Sequence, residues 1–66
     1  MEETEIKLRD IEEGSKIFCK ASDGSTYAIF YHLDGMYSYC RTEKGGALHL
    51  SGRTPLRKVE GGYEIK

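Results

Sequence analysis

Asp34-Gly35, set between two runs of apolar, aromatic and β-branched residues, constrains this chain more than any other feature. An Asp-Gly step supplies the positive φ angles of a two-residue hairpin loop, and apolar strands on both sides complete the hairpin signal. Such a loop dictates register. It sets Leu33 opposite Met36, His32 opposite Tyr37, Tyr31 opposite Ser38, Phe30 opposite Tyr39, Ile29 opposite Cys40 and Ala28 opposite Arg41. Opposed residues share a face of the sheet. One face then carries Tyr27, Ile29, Tyr31, Leu33, Met36, Ser38 and Cys40 and reads as core. The other carries Phe30, His32, Tyr37, Tyr39 and Arg41, too aromatic for idle solvent and too polar for a good core.

The rest of the chain reads as short strands and turns. Ile6–Leu8 is a short strand, and Arg9–Ser15 a turn with one helical turn at Asp10–Glu13 capped by Asp10. Lys16–Lys20 alternates, with Ile17 and Cys19 on one side and Phe18 on the other. Ala21–Ser25 is a loop with a second Asp-Gly, followed by the hairpin strands Thr26–Leu33 and Met36–Arg41. After a glycine-rich turn at Thr42–Gly46, Ala47–Ser51 forms a strand with Leu48 and Leu50 inward and His49 outward. Gly52–Pro55 breaks it, Leu56–Val59 is an edge strand, and Glu60–Gly62 turns into a last strand, Tyr63–Lys66. Frequent turns between short strands predict an all-β meander. At this length it should curl into a small SH3-like open barrel of five to seven short antiparallel strands, because curling removes exposed edges. Residues 1–66 read as one domain with a loose, charged start at 1–5.

A chain of 66 residues buries only about 60% of its unfolded surface, so such domains commonly add a disulfide framework, a metal or a partner subunit. Two cysteines make no disulfide-dense scaffold, and Cys19, His32, Cys40 and His49 lack the close-paired spacing of a zinc site. A homo-oligomer, with Phe30, Tyr37 and Tyr39 at the interface, is the remaining means of support. No cofactor or metal signature is present in the sequence. Net charge is −1, but residues 1–33 hold four Lys/Arg against seven Asp/Glu and residues 34–66 hold six against four. This balance argues against long nucleic acid as a partner and leaves room for one small anionic ligand. No apolar run approaches the roughly 18 residues of a membrane span, and the acidic N-terminus does not read as a signal peptide. The expectation is a cytoplasmic protein with reduced thiols and no membrane partner.

Two clusters could carry chemistry. On the aromatic hairpin face, Tyr37 and Tyr39 can stack on a base, Arg41 can meet phosphate and His32 can add a hydrogen bond. The more ordinary reading is that the strands curl so that these rings fill a second mini-core or pack against a second copy; a partner-protein patch is a further alternative. The second cluster is Ser51-Gly52-Arg53-Thr54, with His49 before it and Arg57 and Lys58 after. Two hydroxyls, a glycine and an arginine in a tight turn can hold an anion, although the P-loop pattern is missing and an ordinary polar turn before Pro55 accounts for the same residues. Cys19 and Cys40 read as small core residues, with neither histidine on their face, and the carboxylates form no catalytic pair. Catalysis is therefore not expected.

The pattern Ile11-x-x-Gly14-x-Lys16-x-Phe18, then Asp34-Gly35-Met36-Tyr37-Ser38-Tyr39-Cys40, then His49-Leu50 and Thr54-Pro55, resembles small accessory proteins of bacteriophage and prophage genomes, over roughly residues 6–59. Many of these resemble SH3-like barrels. The resemblance implies a phage-type accessory factor acting in the host bacterial cytoplasm, one that counteracts defence by capturing a nucleotide-like signal or a defence protein. It carries no active-site motif, so the expected ligand-binding set (His32, Tyr37, Tyr39, Arg41, His49, Ser51, Arg53 and Thr54) comes from the strand faces and the polar turn alone. Alternatives from other classes are a protein-interaction module acting through the aromatic surface and a small barrel that binds RNA or single-stranded DNA.

Overall fold

The computed structural model describes residues 6–66; the expected loose start at 1–5 lies outside the described residues. Seven strands follow in chain order: β1 Ile6–Lys7, β2 Lys16–Phe18, β3 Tyr27–Asp34, β4 Tyr37–Thr42, β5 Ala47–Leu48, β6 Pro55–Val59 and β7 Gly62–Ile65. They form one sheet in the order β1-β6-β7-β2-β3-β4-β5, which curls into a small open barrel. The protein is all-β; one 3₁₀ turn, Leu8–Asp10, is the only helical element among the described residues.

The topology is richer than a meander. β2 to β5 run as consecutive antiparallel neighbours, but the β6–β7 hairpin slots in between β1 and β2. β7 lies parallel to β2, with Ile17 beside Tyr63 and Phe18 beside Glu64, so one pairing departs from the expected all-antiparallel set. β6 is interior, not the expected edge, because β1 pairs along its outer side. Pro55, expected to break the chain, opens β6 as its first residue, where a missing N–H costs least. The helical turn also falls earlier than expected. Leu8 begins it and is fully buried, and the Asp10 carboxylate accepts the Lys7 N–H at 3.3 Å from the third position of the turn, where the sequence suggested a cap.

The ends of the sheet are drawn together by one segment. Leu8 N–H donates to Thr54 O and Arg9 N–H to Gly52 O, both at 3.0 Å. On its other side the same segment meets β4, through Ser38 N–H to Leu50 O at 2.7 Å, and the hairpin loop, through Gly52 N–H to Met36 O at 2.8 Å. The chain just beyond β1 and the tip of β4 are thus joined through residues 50–54, which satisfies backbone groups that an open sheet would leave exposed. Inside sit Leu8, Ile11, Ile17, Ala28, Phe30, Cys40 and Leu56, flanked by Ile6, Cys19, Leu48, Leu50 and Tyr63. The inward placement of Ile17, Cys19, Leu48 and Leu50 follows the alternation of the sequence.

The hairpin forms, with its loop one residue later than the sequence suggests. Asp34 stays in β3 opposite Tyr37, and Gly35-Met36 is the loop. Only Gly35 has positive φ, at +69°, the type II′ pattern that places glycine first. A one-residue move of the loop shifts the pairing by two, so faces near the tip are unchanged: His32 pairs with Tyr39 and Leu33 with Ser38. A bulge at Tyr31 then takes the pairing back by one, a net shift of one from expectation, so that Phe30 pairs with Cys40, Ile29 with Arg41 and Ala28 with Thr42. Half of β3 is therefore inverted relative to expectation. Phe30, assigned to the outer face and an interface, is buried in the core, while Tyr31, assigned to the core, is turned out; Leu33 keeps its expected face, but it and Met36 lie beyond the core at the hairpin tip and are exposed. The physical reason is the choice between neighbouring rings. Phe30 has no polar atom to satisfy, whereas a buried Tyr31 would need a partner for its hydroxyl.

A polar network ties the loops at the opposite end. The Asp23 carboxylate accepts Ser25 N–H at 2.9 Å and the Thr42 hydroxyl at 2.8 Å, and Thr42 Oγ1 accepts Gly46 N–H at 2.8 Å. The buried Ser25 hydroxyl accepts Lys44 N–H at 3.1 Å. No described buried side-chain nitrogen or oxygen lacks a partner. The bonds from Ser25, then that from Thr42, hold the Asp23 carboxyl below its ordinary pKa. A depressed carboxylate contributes stability that is present above its unfolded pKa and lost as pH falls through its folded value. Urea unfolding followed by circular dichroism should show a midpoint that falls below about pH 4, with a smaller fall in Asp23→Asn.

Gly62 marks the closest approach in the sheet, because a Cβ there would collide with the Lys16 carbonyl oxygen. Gly35 faces open space but needs its positive φ. In the same unfolding assay, Gly35→Ala should cost about 1–2 kcal/mol from backbone strain, and Gly62→Ala more than about 2 kcal/mol, because backbone cannot yield as a side chain would.

Candidate functional site

The outer face of the β3–β4 hairpin carries the aromatic cluster. Cross-strand pairing sets His32 beside Tyr39, and β5 leads into His49 on the far side of that ring. Tyr39 is the hub: its centroid lies 5.7 Å from Tyr31 in an edge-on contact, 5.5 Å from His32 and 5.7 Å from His49. Arg41, two residues along the same face, donates Nε–H to the Tyr39 hydroxyl at 3.0 Å. That bond leaves the outer guanidinium nitrogens as donors and raises the Arg41 pKa further, so its charge is permanent. His49 Nδ1 lies 3.1 Å from the Ser38 carbonyl. A carbonyl only accepts, so Nδ1 carries the proton, and in the neutral ring Nε2 is left as an acceptor.

The polar turn lies elsewhere. Ser51 and Arg53 line a pocket of about 240 Å³ together with Arg9, Leu33, Gly35, Met36 and Gly52. The Ser51 hydroxyl accepts Arg53 N–H at 3.1 Å and Thr54 N–H reaches Ser51 O at 3.0 Å, so the turn is closed by its own bonds. Of the expected ligand-binding set, Tyr39, Arg41, His32 and His49 therefore come together, while Ser51 and Arg53 belong to a separate pocket. Tyr37, strongly exposed, bridges to Ser51 by backbone and sits between the two groups. Thr54 contributes its carbonyl to barrel closure.

Sequence reasoning missed Tyr31, Arg9, Leu33 and Met36. A tyrosine next to a phenylalanine was the available signal for Tyr31, since the phenylalanine is the better core residue. Arg9 had no local signal, because a backbone bond to Gly52 brings it there from the other end of the chain. A broader cleft of about 630 Å³ runs past Glu12, Lys16, Lys58, Glu60 and Tyr63. Its charges are mixed. Lys16 Nζ already sits 4.4 Å from the centre of the Tyr27 ring and Lys58 Nζ 5.2 Å from that of Tyr63.

Among the described residues no three His, Cys, Asp or Glu side chains group closely enough to hold a metal ion, and no helix is long and apolar enough to cross a membrane. The fold defines an all-β small open barrel with an aromatic outer face. Comparison with protein-family models, curated proteins and solved structures finds no match.

Both thiols are free. Burial pushes the Cys40 pKa up, and burial followed by the neighbouring Cys40 does the same to Cys19. Little thiolate is present at neutral pH, and thiolate is the reactive form. With iodoacetamide at pH 7, mass spectrometry should find Cys19 alkylated more slowly than free cysteine and Cys40 alkylated only when the protein is unfolded in urea.

Proposed function

We propose that this chain is a non-enzymatic binding protein whose outer hairpin face takes a nucleotide-like ligand. A base stacks against Tyr39, phosphate meets the free nitrogens of Arg41, and His32 and His49 border the ring and supply hydrogen bonds. The observation that carries this reading is the grouping of three rings within 5.7 Å of Tyr39, with a guanidinium bonded to its hydroxyl. Aromatic stacking contributes about 1–3 kcal/mol per base, and arginine adds directional contacts to phosphate. The resemblance to phage accessory proteins supplies a setting, interception of a nucleotide signal used in host defence.

An open strand face covers one side of a ligand, whereas small-molecule sites bury about 70–90% of theirs. A second subunit of a homo-oligomer completes the enclosure in this proposal. The same openness favours a second reading, a partner protein docked on the exposed Tyr31 and Tyr37 beside the half-buried Tyr39, since tyrosine and arginine are enriched at protein contacts.

Calorimetry with cyclic dinucleotides and ADP-ribose isomers separates the two readings. Binding that Tyr39→Ala weakens by about tenfold or more, and that Arg41→Gln weakens with a smaller salt dependence, supports nucleotide capture. No heat with any of these ligands overturns it. Tyr37- and Tyr39-dependent retention of one host protein would then support the second reading.

A further inference from the structure

We propose that the pocket at the tip of the hairpin is a separate binding site for a small amphipathic anion, an acidic head group carried on a short apolar body. Arg9 and Arg53 both border it, and none of its lining residues is acidic. Neither arginine side chain makes an ion pair or hydrogen bond among the described residues, in contrast to Arg57, which holds Glu64 at 3.0 Å. The backbone donors of the turn are already used, Gly52 N–H on Met36 O and Arg53 N–H on the Ser51 hydroxyl. Charge recognition therefore falls to the two guanidinium groups and the Ser51 hydroxyl proton, a set that matches carboxylate or phosphate oxygens.

The apolar half comes from Leu33 and Met36, both left exposed although the chain has few large apolar residues to spare. Leu33 pairs with the inward-facing Ser38, so it points toward the barrel mouth and away from the aromatic face. Gly52 leaves the floor open: a Cβ there would meet Arg9 Cβ, Leu33 Cδ2 and Met36 O at 3.5 Å each, ordinary contact without strain. A volume of about 240 Å³ suits a fragment-sized ligand, since drug-sized sites run from about 300 to 1,000 Å³. The site stands independently of the nucleotide reading, because it shares no residue with the Tyr39 cluster.

Titration of the ¹⁵N-labelled protein with hexanoate, hexyl phosphate, inorganic phosphate and hexanol tests this. Hexanoate or hexyl phosphate should give saturable amide shifts at Arg9, Leu33, Met36, Gly52 and Arg53, and the tighter of the two identifies the head group. Inorganic phosphate should bind at least about tenfold more weakly, having no apolar body. Arg9→Gln and Arg53→Gln should each weaken binding by about tenfold or more, the loss of a charge-assisted hydrogen bond, while Arg57→Gln leaves it unchanged. Gly52→Ala, which fills the floor while the fold is kept, should also weaken it. Absence of saturable shifts with both alkyl anions overturns the proposal. So does equal binding of hexanol, or indifference to the Arg9 and Arg53 substitutions.

Discussion

The placement of Phe30 is the constraint on which the rest of the structure depends. Its backbone is held on the β2 side, with Phe30 N–H on Ser15 O at 2.9 Å and Gly14 N–H on Phe30 O at 2.6 Å. Its ring is packed in the core with Cys40 across the strand pair. With Phe30 locked inward on one side, and Ser38 and Cys40 inward on β4, the strands can meet only through one extra residue. Tyr31 is that residue, and its ring is turned out against Tyr39. The aromatic surface is thus a by-product of how the core is filled. Without the bulge, Tyr31 would compete for the interior and the cluster around Tyr39 would lose a ring.

Barrel closure has a similar double role. Residues 50–54 satisfy backbone groups of the 3₁₀ turn on one side and of β4 on the other. The same bonds bring Arg9 to Gly52 and Met36, so the arginine-lined pocket exists because the sheet is drawn shut there. The two candidate surfaces therefore rest on different parts of the fold. One is set by strand phase within a hairpin, the other by contacts between segments more than forty residues apart in sequence. This separates the aromatic face from the arginine-lined pocket, although Tyr37 and Ser51 connect them through backbone.

Much of the fold was legible in the sequence for local reasons. Glycines placed the turns, and β2, β4 and β5 show the inward phase that their own alternation dictates. On the outer face, Tyr39, Arg41, His32 and His49 were also legible, because a two-residue shift of pairing leaves faces intact. Tyr31 and Phe30 were not. Both fit an alternating pattern, and the choice between them depends on whether a hydroxyl can be satisfied inside. Ser51 and Arg53 stood out together as a polar turn and do line one pocket, but nothing near them in sequence points to Arg9 or Leu33.

By itself the sequence determined the class of fold, the hairpin around Gly35 and the inward side of three strands, because each depends on residues a few positions apart. Tertiary structure alone decided the phase of β3, the parallel seat of β7 beside β2 and the meeting of Arg9 with Arg53 around one pocket. These depend on which of several locally equivalent pairings fills the core without stranding a polar group. That comparison exists only once distant segments are packed together.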